Sequence, residues 1–368
     1  MAEAPKLKDY FTPQVITEIG ERFAATAPGF DVDRFCQAVL SNGWDDLTFT
    51  ARTGRVGDVL WDQLGRDPLI ALQHIEAVLP DELGDPEGAL TEGFWMWPLG
   101  DLIAAHTVDH PDAALTTIEA LTRRFTGEFA VRPFLARYPE TLDRVEAWAT
   151  SDNEHVRRLA SEGTRPRLPW ATRLTLPLER ILPILATLRR DRSRYVQRSV
   201  ANHLNDLAKD NGERIVSLLE EWHAEDVPET TWIVRHAMRN HLKDGDPRVL
   251  ALFGYQPADA AVGDLTVTPE TVAVGQTVTI DFTLTTGATA PQRIMVDLVV
   301  GYRKANGSVG PKVFKFRDFE LAAAATEPCT RSLAMVERST RKLHPGHHTV
   351  AVRVNGADLA ETTFELTT

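Results

Sequence analysis

YVQRSVANHLNDLAKD, residues 195–210, is the stretch from which the fold can be read. Val196, Val200, Leu204 and Leu207 recur at spacings of three and four, the period at which side chains share one face of an α-helix. They predict an amphipathic helix with that face on a core. The opposite face repeats Arg198, Asn202, Asn205, Asp206 and Lys209 at the same spacings. A guanidinium, two amides and a carboxylate in register form a more specific set than the interchangeable Glu and Lys of an ordinary solvated face. Such a face is expected to hold something.

The same pattern occurs on either side. HVRRLASE from His155, YVQRSVAN from Tyr195 and WIVRHAMR from Trp232 superpose, which puts Arg158, Arg198 and Arg235 at equivalent places, 40 and 37 residues apart. Glu162, Asn202 and Arg239 coincide one helical turn further on. A period of this length is that of HEAT-type helix pairs, whose second helices line the concave face of a curved stack. Helical spacing runs to about residue 255, broken by turns rich in Pro, Gly and Asp such as LPDELGDPEGAL (79–90) and KDGDPRVL (243–250).

After YQPADAAVGD (255–264) the period changes to two, in VTIDFTL (278–284), IMVDLVV (294–300) and HTVAVRV (348–354). Asn306-Gly307 and Asn355-Gly356 are hairpin-turn signals. The expected architecture is mainly α with a β domain: a HEAT-like α-helical repeat solenoid over residues 1–256, then an immunoglobulin-like β-sandwich over residues 257–368. The Cys–Trp–Cys core of antibody domains is absent.

At 368 residues, two or three domains and a sizeable core are expected. Hydrophobic content of 43% with 25% charged residues is that of a globular protein, and no apolar run reaches the ~18 residues of a membrane span. MAEAPKLKDYFTPQ lacks the apolar core of a signal peptide, so a cytoplasmic location is expected. Cys36 and Cys329 are too few for a disulfide framework or a cysteine zinc site.

The net charge of −12 hides an asymmetry. Residues 1–154 hold 12 Lys/Arg against 27 Asp/Glu, whereas residues 155–214 hold 13 against 6, and 12 of those 13 cations are arginine. Arginine offers phosphate a planar bidentate fork. The block reads either as an anion-binding surface or as a solvated, salt-bridged helical one. A concave groove lined with arginine suits a polyanion, with duplex DNA the obvious candidate.

Two further stretches carry chemistry. In TGEFAVRPFLARYP (126–139), Glu128 is either a site carboxylate or a partner of Arg132, four residues on. SEGTRPRLPW (161–170) has too many prolines for regular helix and is expected to be a shaped connector ending in Trp170, a site aromatic or a core one. Trp95 and Trp97 in FWMWPL (94–99) are expected in the core. His106 and His110 share a helical spacing without a completing carboxylate, and LHPGHH (343–348) reads as a hairpin, so no metal site is expected. No nucleophile elbow, P-loop or dinucleotide fingerprint occurs, which leads to the expectation of no cofactor.

RPRLPW (165–170), YVQRSVANHLNDLAKD (195–210) and VDLVVGYRKANGSVGPKVFKFRD (296–318) resemble the bacterial DNA alkylation repair glycosylases of the AlkC type, relatives of AlkD. The resemblance covers nearly the whole chain, including the order of repeat domain and immunoglobulin-like domain. It implies hydrolysis of the N-glycosidic bond of cationic alkylated bases, 3-methyladenine and 3-methylcytosine, in base excision repair, with the base left stacked rather than flipped. On that resemblance the catalytic candidates are Glu128, Asp206, Trp170 and Glu162, with Asp210 the alternative to Asp206. The candidates for contact with DNA are Arg158, Arg165, Arg167, Arg198, Asn202, Arg235 and Arg239, and, in the second domain, Lys304 and Lys312 beside Arg303, Lys315 and Arg317. The implied partner is double-stranded DNA containing alkylated bases, bound by a monomer that is nucleoid-associated while on DNA. The alternative is a non-catalytic repeat scaffold that binds DNA or an acidic protein through the same arginines. Carboxylates aimed at phosphate argue against it, because they would cost such a scaffold affinity.

Overall fold

Val196, Val200, Leu204 and Leu207 are buried in the computed structural model, which describes residues 6–41, 43–84, 93–338 and 341–368. The turn at 79–90 lies partly outside those residues. The described α-helices are α1 (Pro13–Ala24), α2 (Val32–Val39), α3 (Phe49–Gln63), α4 (Pro68–Val78), α5 (Trp97–His106), α6 (Pro111–Thr122), α7 (Arg132–Arg137) and α8 (Thr141–Trp148). They continue with α9 (Glu154–Glu162), α10 (Leu178–Leu188), α11 (Arg194–Ala208), α12 (Gly212–His223), α13 (Pro228–Ala237), α14 (Arg239–Asp244) and α15 (Pro247–Leu252).

Three successive pairs, α8/α9, α10/α11 and α12/α13, carry the repeat, and their second helices α9, α11 and α13 stack side by side in HEAT-like fashion. Ion pairs at the repeat period tie the first helices together. Arg180 of α10 reaches Asp143 of α8 at 2.6 Å, and Arg214 of α12 reaches Glu179 of α10 at 3.0 Å. Between second helices, the buried Asn205 donates from Nδ2 to the Ala237 carbonyl at 2.7 Å. Asn205 is therefore a rivet between repeats, not part of an open stripe. The register also breaks after α13. Met238 leaves helical geometry (ψ 9°) and Arg239 opens α14, so Arg239 does not continue the helix that carries Arg235.

Helix gives way to strand between Leu252 and Ala261, whereas the compact units divide between Ala237 and Met238 rather than at residue 256. The reason is that residues 238–256 are bonded to strands. The Tyr255 hydroxyl donates to Asp318 at 2.6 Å, Arg293 to the Phe253 carbonyl at 2.8 Å and Arg353 to the Lys243 carbonyl at 2.7 Å.

The strands are β1 (Ala261–Thr268), β2 (Thr271–Ala273), β3 (Thr277–Thr285), β4 (Gln292–Arg303), β5 (Val309–Leu321), β6 (Thr326–Ala334), β7 (Gly346–Val354) and β8 (Ala357–Thr367). Sheets of order β1-β3-β6 and β2-β8-β7-β4-β5 enclose a core of alternating residues, such as Val278, Ile280, Phe282 and Leu284 of β3 against Ile294, Val296, Leu298 and Val300 of β4. This is the immunoglobulin-like sandwich. Both Asn-Gly signals are turns between strands, and Gly307 (φ 81°) and Gly356 (φ 87°) take the left-handed backbone that glycine accepts without strain.

Candidate active site

Glu128 sits on a turn between α6 and α7 that only glycine-flanked sequence can form. A Cβ on Gly127 would lie 2.3 Å from the Thr122 hydroxyl, so the chain can pass this close to α6 only with glycine there. Gly163, just past α9, is bound by the same logic: a Cβ there would meet Val131 at 2.7 Å. These two close approaches bring the Glu128 turn against the end of α9, where Glu162 is the last helical residue.

The two carboxylates, both buried, are held differently. Glu162 is fully engaged: Oε1 accepts from Arg165 Nη1 at 2.6 Å and Oε2 from the Ser199 hydroxyl at 2.6 Å, with Arg158 Nη2 3.7 Å from Oε1. Burial pushes its proton affinity up, but Arg158 and Arg165 and the bonds from Ser199 and Arg165 outweigh it and hold the carboxyl below its ordinary range. Glu128 Oε1 is in close contact with Arg158 Nη1, whereas Glu128 Oε2 is buried without a hydrogen-bond partner. A buried carboxylate oxygen left unpaired is costly and rare, and such an atom marks a place where a ligand or water is wanted.

Glu128, Arg158 and Glu162 form one side of a cavity of about 230 Å³, and Trp97, Phe125, Phe129, Trp170 and Tyr195 supply aromatic walls. Trp97 stands 5.1 Å from Phe129 and 6.4 Å from Trp170, centroid to centroid, and the Arg158 guanidinium lies 4.5 Å over the Tyr195 ring. Trp170 is 70% exposed and adopts φ 67°, unusual for a bulky side chain. Its connector is bolted down by Arg132, whose buried guanidinium donates to the carbonyls of Gly163 (3.0 Å), Arg165 (2.9 Å) and Thr172 (2.6 Å). Arg132 is thus a clasp for the connector, and the cation beside Glu128 is Arg158.

Of the expected site residues, Glu128, Glu162, Trp170 and Arg158 converge on this cavity. Asp206 does not line it. It is buried behind Glu162, where Arg165 Nε (3.0 Å) and Nη2 (2.8 Å) bind its Oδ2 and Lys209 approaches to 3.6 Å. Arg165, expected on phosphate, is buried between Glu162 and Asp206; burial opposes its charge, but the two carboxylates keep it firmly protonated. Its charge is compensated by two buried counterions, which leaves little reason for it to turn to DNA. Asp210 lies outside the cavity, bound by Arg167 at 2.8 Å and Arg173 at 2.9 Å, so Arg167 too is engaged.

Nine of the twelve arginines in the basic block are ion-paired, which makes that block mostly a salt-bridged surface. Among the described residues, Arg198 is exposed and makes no ion pair, and half-buried Asn202 stands one turn from it. Arg235 is half-buried on α13. In the sandwich, Lys304 and Lys312 line a cleft of about 410 Å³ with Arg303, Arg341, Lys342 and His344, while Arg317 is paired to Glu327 and Lys315 to Asp318.

Sequence reasoning missed Trp97, which was expected in the core, and also Tyr195, Phe125 and Phe129. Trp97 is half-buried, whereas Phe94, Trp95 and Met96 before it are buried. The aromatic position shared by His155, Tyr195 and Trp232 was the available signal for Tyr195. His106 pairs with Asp58 at 2.8 Å and stacks on Trp61. No cluster of three or more His, Cys, Asp or Glu that could hold a metal occurs among the described residues, and no described helix is long and apolar enough to cross a membrane.

Residues 126–241 match the DNA alkylation repair enzyme family, and residues 261–368 match the C-terminal Ig-like domain described for the uncharacterised protein YhaZ. These matches and the geometry above define a HEAT-like repeat protein of the DNA alkylation repair class. YhaZ of Bacillus subtilis (strain 168) is 33% identical over 357 residues, 95% of this chain and 96% of that protein. The alkylpurine DNA glycosylase AlkC of Pseudomonas fluorescens, solved bound to DNA containing an abasic site analogue, is 37% identical and superposes with a TM-score of 0.92 over 99% of this chain and all of that one. The chain belongs to this AlkC-type family of repeat proteins with a C-terminal Ig-like domain.

Proposed function

We propose that the protein is a DNA glycosylase that hydrolyses the N-glycosidic bond of cationic alkylated bases, 3-methyladenine and 3-methylcytosine, in double-stranded DNA. The observation that carries this reading is the unpartnered Glu128 Oε2 in a cavity of aromatic faces. A base alkylated on a ring nitrogen already bears positive charge, so the C1′–N bond breaks with its electron pair moving to the base, which leaves neutral and needs no acid. Positive charge then develops on the deoxyribose, where the Glu128 carboxylate stabilises it. Water adds its oxygen to C1′ and gives up one proton, first to Glu128 and then to solvent. Trp170, Trp97 and Tyr195 present π-faces that favour a cation over a neutral ring.

On this reading Glu162 sets the charge balance beside Glu128, and Asp206 supports it through Arg165. Arg198, Asn202 and Arg235 meet the DNA backbone along the repeats, and Lys304 and Lys312 meet phosphate in the sandwich's basic cleft. The aromatic walls of the cavity, with Trp170 exposed at its edge, suit attack on the sugar from the groove with the base left stacked. The enzyme acts as a monomer in the cytoplasm, without a metal and without strand cleavage.

Release of free base from methylated duplex DNA tests the reading, in the presence and absence of EDTA. Glu128→Gln is expected to lower single-turnover release by about 10²–10³-fold, the scale for losing one preorganised electrostatic group, while DNA affinity stays equal or rises. No release by the wild-type protein, with DNA binding intact, would sink the enzyme reading in favour of a scaffold.

A further inference from the structure

We propose that Arg158 is the cavity's resident cation and holds the place of the substrate's charge: a cationic nucleotide displaces Arg158 from Glu128, and a neutral nucleotide cannot. The inference rests on the glycosylase reading and assigns to that site a residue that competes with the substrate's charge. The Arg158 guanidinium contacts Glu128 Oε1, lies 3.7 Å from Glu162 Oε1 and covers the Tyr195 ring at 4.5 Å. Two carboxylates and an aromatic face are also what a cationic base or a positively charged sugar ring requires. Arg158 therefore fills, from within the chain, the place where substrate charge is best stabilised.

How the neighbouring arginines are anchored sets Arg158 apart. Arg132 is fixed by three main-chain carbonyls, and Arg157 by the carbonyls of Ser151 and Asp152 together with Asp191. Arg158 donates to no main-chain carbonyl among the described residues; its partners are the two carboxylates and the ring. Its side chain, 21% exposed, stands at the cavity wall, so a backbone phosphate can receive it when it leaves.

Charge balance then decides which nucleotide can displace Arg158. With Arg158 in place the two glutamates are compensated by Arg158 and Arg165. When Arg158 moves to phosphate, a buried carboxylate is left bare unless the incoming group is positive. An alkylated nucleotide restores the balance and can therefore displace Arg158, whereas an undamaged one cannot, and Arg158 stays on Glu128.

The experiment compares affinities for duplexes carrying a cationic pyrrolidine abasic analogue or a neutral tetrahydrofuran one, with wild-type, Arg158→Gln and Arg158→Lys proteins. The phosphate contact of the displaced Arg158 forms only with the cationic duplex, but it is exposed and weaker than the buried pair that is given up, so its loss does not reverse the expected change. Arg158→Gln is expected to raise the cationic-to-neutral preference about tenfold or more, because the competing charge is gone, and Arg158→Lys to leave it within about threefold. An unchanged or reduced preference in Arg158→Gln overturns the proposal. If Arg158→Gln does not fold, crystal structures of the wild-type protein with each duplex decide: Arg158 is expected off Glu128 with the cationic analogue and on it with the neutral one, and Arg158 still on Glu128 with the cationic analogue overturns the proposal. Release of methylated base by the wild-type protein is measured alongside. No release defeats the glycosylase reading, whereas release with an unmoved preference defeats only the role of Arg158.

Discussion

Arg165 grips a single carboxylate oxygen of Asp206 twice, from Nε at 3.0 Å and Nη2 at 2.8 Å, while its Nη1 holds Glu162 at 2.6 Å. The three side chains form a buried chain of charge running from the repeat core to the cavity. Asp206 thereby acts on Glu162 through Arg165. Asp206→Asn is expected to reduce base release about tenfold, well short of the loss from Glu128→Gln, and to lower Tm, since a buried guanidinium loses part of its compensation. Single-turnover rates and thermal melts check both; a loss equal to that of Glu128→Gln would give Asp206 a direct part in the chemistry.

The same chain predicts a pH effect. Arg158 and Arg165 hold the Glu162 carboxyl below its ordinary range, so it stays ionised, and its stabilising contribution is lost only as pH falls through that depressed value. Arg165→Met removes one of these cations and raises the Glu162 proton affinity. The acidic limb of the rate profile is expected to move to higher pH, and an unmoved limb would mean that Glu162 does not govern the rate.

Trp170 offers the opposite combination, an exposed residue close to the cavity. Because the ring is 70% exposed, Trp170→Ala removes little packing and is expected to change stability by no more than about 1 kcal/mol while lowering base release about tenfold or more. Trp97→Ala should do both, because Trp97 packs on Phe49, Phe125 and Phe129. Melts and release rates on the two variants separate the cases, and a Trp170→Ala protein that melts early but works normally would make Trp170 structural.

Much of the fold was legible because periodicity is a local property. The stripe Val196, Val200, Leu204, Leu207 and the alternation of β3 each report a buried face whatever else the chain does. The destinations of charges were less legible. Arg165 and Arg198 look alike in sequence, yet one is buried on Asp206, 41 residues away, and the other is exposed, because an ion pair is decided by which repeat stacks on which. Asp206 sits on the polar side of its helix by spacing, but α11 is flanked by α9 and α13, so even part of its polar side is interior. Trp97 escaped notice for the converse reason: a run of four bulky residues reads as core, and only the turn into α5 directs the last of them to the cavity.

Arg198 is exposed and makes no ion pair among the described residues, on the same helix face as Asn202. If it meets a phosphate, Arg198→Ala should weaken binding of damaged and undamaged duplexes alike and reduce the slope of log K against log salt by about 0.9, the value for one phosphate contact. Binding isotherms at several salt concentrations measure it. An unchanged slope would remove Arg198 from the DNA interface.

His203, on the buried side of α11, supplies a stability test independent of DNA. Its Nδ1 lies 3.0 Å from the Ser161 carbonyl, its Nε2 has no partner, and burial, reinforced by Arg165, pushes its pKa from 6.5 down to about 3, against the opposing charge of Glu162. The unfolded chain therefore takes up a proton below pH 6.5 that the folded one refuses. Stability is complete above that pH and falls by about 1.4 kcal/mol per pH unit on the way down towards pH 3. Asp101 acts in the other direction. Burial raises its pKa to about 6, so its protonation favours the folded state between there and its ordinary value of 3.8, and a melt of the wild-type protein alone would show only the balance. Comparison with His203→Gln isolates the imidazole, since the amide can still donate to Ser161 and carries no titrating group. The variant is expected to be the less stable protein at pH 7.5 and to gain on the wild type by roughly 2 kcal/mol by pH 5. Urea unfolding at the two pH values reads this difference directly, and parallel stability curves would mean that the imidazole accepts its proton in the folded protein.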